Sequence, residues 1–116
     1  MPLTLYGIPN CDTMKKARDW LDRAGISYVF HDYKKAGVAA TLLQTWCHEV
    51  GWEVLLNRAG TTFRKLPDAD KLGLDEAHAI ALMVAQPGMI KRPVLVGAGK
   101  LLVGFKPALY AAAKLK

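Results

Sequence analysis

The chain has 116 residues, 52% of them apolar and 22% charged, and a formal net charge of +6. That length fits a single domain, residues 1–116, able to bury a core without disulfides or metals. No apolar run approaches the roughly 20 residues of a membrane span, and the scattered basic residues form no zinc-finger, RNP or basic-region motif, so neither membrane nor nucleic acid is an expected partner.

The opening Met-Pro-Leu-Thr-Leu-Tyr lacks the basic n-region and long apolar stretch of a signal peptide. The expected compartment is the cytoplasm, where thiols stay reduced. Residues 3–6 predict a short strand, broken by Gly7-Ile8-Pro9-Asn10. A helix follows, with Met14, Ala17, Trp20, Leu21 and Ala24 on one face and Gly25 at its end. Residues 26–30 are β-branched and aromatic and predict a second strand, parallel to the first through a right-handed crossover. Residues 34–37 read as a linker. The next helix carries Leu42, Leu43, Trp46, Cys47 and Val50 as an apolar stripe and stops at Gly51. A short helix over 54–56 and a basic loop over 57–66 lead to a helix over 75–86, with Ala77, Ile80, Ala81 and Val84 apolar, ended by Pro87-Gly88. Residues 92–96 predict a third strand, 97–100 a turn, and 101–104 an antiparallel fourth strand. Pro107 suits the first turn of a last helix that runs to near Lys116. The order makes an α/β fold, a four-stranded mixed sheet with flanking helices: the thioredoxin pattern with helices inserted in its middle.

Cys11 stands at the predicted start of the first helix. The unpaired N–H groups and partial positive charge there favour a thiolate over a thiol. The helix end is worth at most about 2 kcal/mol, and one pKa unit is about 1.36 kcal/mol, so a thiol of ordinary pKa near 8.5 can fall to about 7. Lys15, one turn on, is the candidate cation for stronger activation. The alternative is a small hydrophobe in the core. Against it, Cys11 lies in a strand-to-helix break, at the edge where open α/β sheets bind ligands. Cys47 lies within the apolar stripe and reads as core, with a resolving thiol as the alternative.

Cys11-Asp12-Thr13-Met14 has no second cysteine where a dithiol oxidoreductase carries one. A lone thiolate can attack a disulfide, but another thiol must resolve the mixed intermediate. In a reducing cytoplasm glutathione is the abundant candidate, a co-substrate rather than a bound cofactor, and its negative charge suits a basic rim. His31, His48 and His78 lack ligand spacing, and the adjacent Cys47-His48 pair would point about 100° apart on a helix, so no metal site is expected. Arg58, Arg64 and Arg92 are the arginines placed near the site, since a guanidinium fork holds carboxylates and oxyanions. Arg92 leads them because it precedes Pro93 at a strand start. Trp20, Trp46 and Trp52 read as packing rather than as a base-stacking platform.

The segments "TLYGIPNC" (4–11), "RAGTTFRKL" (58–66) and "IKRPVLV" (90–96) together resemble the arsenate reductase-like family that includes Spx, and within it the YffB-type subgroup. The resemblance implies a thioredoxin-like fold with a helical insertion at about 37–88 and Cys11 as the reactive thiol. It implies that Pro93 follows a cis peptide bond and faces that thiol, and that Arg92 is the strand-initial arginine. A middle-loop arginine contributes to the anion site of arsenate reductases and falls within one position of Arg58. Their late arginine before a proline stands here as Lys106 before Pro107, which keeps the charge without the fork. Their histidine after the first strand is replaced by Gly7, and their Gly-Thr-Ser after the cysteine by Asp12-Thr13-Met14. The expected activity is glutathione-dependent reduction of a disulfide or small anionic substrate, with glutathione and glutaredoxin as partners. The alternatives are arsenate reduction and an Spx-like regulator that binds RNA polymerase.

Overall fold

The computed structural model describes residues 3–113 and residue 115. It divides into two compact units, one formed by residues 1–36 and 92–116 and the other by Gly37–Lys91.

The first unit is built on a four-stranded sheet in the order β2-β1-β3-β4. These strands are β1 (Leu3–Gly7), β2 (Tyr28–Asp32), β3 (Val94–Val96) and β4 (Leu102–Val103). β1 pairs parallel with β2, Leu5 facing Phe30, and antiparallel with β3, Leu5 facing Leu95. β3 and β4 form an antiparallel hairpin. Burial alternates along β1, with Leu3, Leu5 and Gly7 inside, as a period of two requires. Helix α1 (Asp12–Arg23) covers that face with Met14, Ala17 and Leu21, and Leu95, Leu102 and Tyr110 complete the core. A helix–sheet unit with this mixed topology is the thioredoxin-like fold.

The end of α1 is set by its sequence. Gly25 has φ 71°, a left-handed conformation that costs glycine little. Its N–H donates to the Asp22 carbonyl at 3.1 Å and the Ile26 N–H donates to Leu21 at 3.0 Å, the two bonds of a Schellman cap. This cap lets the chain reverse at once into β2. Gly7 answers a different demand. A Cβ there would collide with the thioether of Met14, so the absence of a side chain lets the start of α1 approach the end of β1.

Several elements depart from the sequence expectations. β2 begins at Tyr28, two residues late, because the Schellman cap uses Ile26. The expected linker opens with a short helix, α2 (Tyr33–Ala36), which Asp32 starts by accepting the N–H groups of Lys34 and Lys35 at 3.1 and 3.2 Å. The last helix, α8 (Pro107–Ala112), is shorter than expected, and Lys114 and Lys116, at its expected end, lie outside the described residues.

The second unit is helical: α3 (Ala40–Val50), α4 (Trp52–Leu55), α5 (Thr61–Arg64), α6 (Asp68–Lys71), α7 (Glu76–Ala85) and a 3-10 turn over Pro87–Met89. Its core includes Leu43, Trp46, Leu55, Phe63, Ile80, Met83 and Ile90. Leu56 and Ile90 form an isolated bridge, flanked by bonds from the Asn57 N–H to Met89 and from the Lys91 N–H to Leu55, 2.8 and 2.7 Å. α5 falls inside the expected loop, where Phe63 turns inward. α7 buries Ile80 as expected, together with Ala79 and Met83, while Ala77, Ala81 and Val84 of the expected set face outward. No helix among the described residues is long and apolar enough to cross a membrane.

Candidate functional site

The site grows from the break between β1 and α1. Pro9 and Asn10 bend the chain, and Cys11 becomes the N-cap of α1 with extended backbone (φ −135°, ψ 132°). Its carbonyl accepts the first helical hydrogen bond, from the Lys15 N–H at 2.9 Å. The side chain is half-buried and packs against the sheet core.

Opposing effects act on the sulfur. Burial raises the thiol pKa; a hydrogen bond from Arg92, the N–H groups of Met14 and Thr13, and the Arg92 charge lower it, and the net displacement is downward. The N–H groups approach the sulfur without the full geometry of a side-chain cap bond. They act as oriented dipoles at a 12-residue helix's positive end.

Arg92 reaches the sulfur from the start of β3. It is half-buried, and the Arg92-Pro93 peptide bond is cis. Pro93 is buried, and its carbonyl accepts from the Gly104 N–H at 2.8 Å, which fixes the strand entry to the β4 hairpin. Desolvation disfavours the Arg92 charge, yet hydrogen bonds to Cys11 and to Tyr33 raise its pKa above the ordinary value. The Tyr33 hydroxyl is thus the second anchor of the guanidinium. Burial pushes the Tyr33 phenol up, so it is neutral near neutral pH and adds no charge to the site.

The structure therefore brings Cys11 and Arg92 together and adds Tyr33. Lys15 is exposed and is not among the groups that lower the Cys11 pKa; its backbone N–H donates to the Cys11 carbonyl. Lys106 is the exposed N-cap of α8, its carbonyl accepting from Leu109 and Tyr110. Arg58 belongs to the helical unit, where its guanidinium lies 5.7 Å from the Trp52 ring centroid. Arg64 closes α5 in the same unit. Cys47 is buried in α3, and burial, then the Glu76 charge, raise its pKa. Tyr33 escaped sequence reasoning because it falls between the expected second strand and the segment read as linker, and nothing in "HDYKK" signals a contact with Arg92.

The arrangement places a half-buried sulfur, its pKa lowered, beside a planar cation. Among the described residues no cluster of histidine, cysteine or acidic side chains could hold a metal ion. A groove of about 500 Å³ runs along the later turns of α1, between Trp20, Arg23 and Phe105, and Cys11 does not line it.

Residues 6–113 match the ArsC family. A solved structure described as YFFB protein is 62% identical, with a TM-score of 0.93, over 98% of this chain and 99% of that one. The solution structure of an arsenate reductase (ArsC) related protein from Brucella melitensis is also 62% identical, with a TM-score of 0.77, over 97% of this chain and 93% of that one. The global transcriptional regulator Spx of Enterococcus faecalis is 32% identical over 89% of this chain and 79% of its own length.

Proposed function

Because the chain belongs to the ArsC family, we propose that it is a glutathione-dependent thiol–disulfide reductase of the cytoplasm, acting through Cys11. The observation that carries this reading is the Arg92 guanidinium hydrogen-bonded to the Cys11 sulfur at the helix start. A thiolate is the competent nucleophile, and an adjacent cation is how proteins make one at neutral pH.

In the first step the Cys11 thiolate attacks the glutathione sulfur of a mixed disulfide. A new S–S bond joins Cys11 to glutathione, and the substrate leaves as a thiolate that takes a proton from water. In the second step the thiolate of another glutathione attacks that bond. Oxidised glutathione leaves, and Cys11 returns as a thiolate. Two electrons reach the substrate's disulfide, and the two glutathione sulfurs end as one disulfide. The absence of a second cysteine within Cys11-Asp12-Thr13-Met14 supports an external resolving thiol. Arg92, with Pro93 fixing its strand, Lys106 and Lys15 supply cationic groups for the carboxylates of glutathione, with glutaredoxin as an alternative electron donor.

The test uses a glutathionylated peptide as substrate and glutathione as donor. Cys11→Ser abolishes turnover, and full activity in that variant contradicts the proposal. Lys106→Gln raises KM for glutathione with kcat unchanged.

A second reading is arsenate reduction, favoured by the same forked cation beside the sulfur, which suits an oxyanion. Arsenate-dependent consumption of glutathione in the presence of glutaredoxin supports it, and no turnover across arsenate concentrations removes it.

A further inference from the structure

We infer that Tyr33 is a positioning residue for Cys11: its buried hydroxyl holds the Arg92 guanidinium against the sulfur. The inference rests on the reading of Cys11 as a working thiolate and adds how that state is maintained.

Asp32 ends β2 and accepts the N–H groups of Lys34 and Lys35, which forces the chain into α2 immediately. α2 packs on β1 and β2, so Tyr33 has no access to water. A buried hydroxyl needs a hydrogen-bond partner. The sheet register sets Asp32 opposite Gly7 and Val94 opposite Tyr6, which brings Tyr33 and Arg92 to the same end of the sheet, where the guanidinium meets the hydroxyl. Burial of a tyrosine in this unit does not by itself recruit a partner. Tyr110 is equally buried, and its hydroxyl has no partner among the described residues.

Arg92 has donors for both contacts, since a guanidinium carries five N–H groups, so Tyr33 and the sulfur do not compete. A free arginine side chain samples many rotamers and prefers water. Anchoring one edge of its plane on Tyr33 leaves the other edge directed at Cys11. Other groups that bear on this cluster include the N–H groups of Thr13 and Met14 at the sulfur and the Asp32 carboxylate near Tyr33.

The test is the pH profile of Cys11 alkylation by iodoacetamide, followed by mass on the Cys11 peptide, in the parent, Tyr33→Phe, Arg92→Ala and the double variant. Tyr33→Phe moves the profile to higher pH and slows alkylation near neutral pH about threefold, while Arg92→Ala slows it about tenfold. The limiting rate at high pH stays unchanged, which a merely structural disturbance would alter. The double variant matches Arg92→Ala alone. A Tyr33→Phe profile unmoved or shifted to lower pH, or an additive double variant, overturns the positioning role. If Arg92→Ala leaves the profile unmoved, the cationic activation in the proposed function fails as well. Should Tyr33→Phe not fold, the parent still decides. Its Arg92 Nε–H resonance exchanges slowly with water and shifts as Cys11 titrates; a fast-exchanging guanidinium overturns the arrangement.

Discussion

Tyr110→Phe should make this protein more stable. Tyr110 lies in the core of the sheet unit with no exposed surface, and its hydroxyl has no hydrogen-bond partner among the described residues. Its ring meets Trp20 and Phe105 edge-on, with centroids 5.6 and 4.9 Å away and both interplanar angles 86°. Burial alone drives its phenol pKa far up, the signature of an oxygen removed from water without compensation. An unpaired buried hydroxyl costs about 1–3 kcal/mol in protein mutational series. Phenylalanine keeps the ring and both edge contacts and removes only the oxygen, whose lost dispersion contacts are worth about 0.1–0.2 kcal/mol each. The net gain is about 1–2 kcal/mol. At about 2.1 cal/mol/K of unfolding entropy per residue, each kcal/mol shifts Tm by about 4 °C in a chain of this length. Urea unfolding of the two proteins, with unchanged m-values, measures the gain as a higher midpoint. A midpoint lowered by the substitution would mean that the hydroxyl has a partner, and the reasoning would fail.

Other outcomes follow from the same physics. In the folded protein iodoacetamide modifies Cys11 at least about tenfold faster than Cys47, because Cys47 is buried and its pKa is raised; equal rates would refute the contrast. Asp75 caps α7, accepting from the His78 N–H at 2.8 Å and pairing with its Nδ1 at 2.8 Å. The hydrogen bonds from His78 hold its carboxyl below the ordinary value of 3.8. A depressed carboxylate pKa adds stability above the unfolded pKa and loses it as pH falls through the folded one. Asp75→Ala therefore melts below the parent at about pH 6, and the gap narrows as pH falls through the depressed folded value. A gap constant over that range would remove the carboxylate from the cap.

The strand–helix–strand opening was legible in the sequence because β1 alternates cleanly and α1 has one apolar face bounded by a glycine cap. The hairpin of β3 and β4 was legible from its glycine-rich turn. α7 shows where pattern reading stops: from Ala77 to Ala85 the segment AHAIALMVA is apolar nearly all round, so periodicity cannot choose the buried face. Only packing within the helical unit selects Ala79, Ile80 and Met83. The register of β2 was set by a cap whose last bond consumed Ile26. At the site, Cys11 announced itself by its place in the strand-to-helix break and Arg92 by its place before Pro93. Tyr33 carried no such mark. Its role depends on a contact between a residue after β2 and one before β3, and a single sequence does not encode which distant side chains meet. Lys15 illustrates the converse, since the exposed residue one helical turn on is not among the groups that lower the Cys11 pKa, whereas the distant Arg92 is.

The central claim is that the Cys11 sulfur is partly ionised near neutral pH. Its pKa in the unsubstituted protein, from the iodoacetamide reaction rate against pH, tests that claim most directly. A midpoint clearly below the free-thiol value of about 8.5 is the predicted result. A midpoint at or above that value would contradict the account.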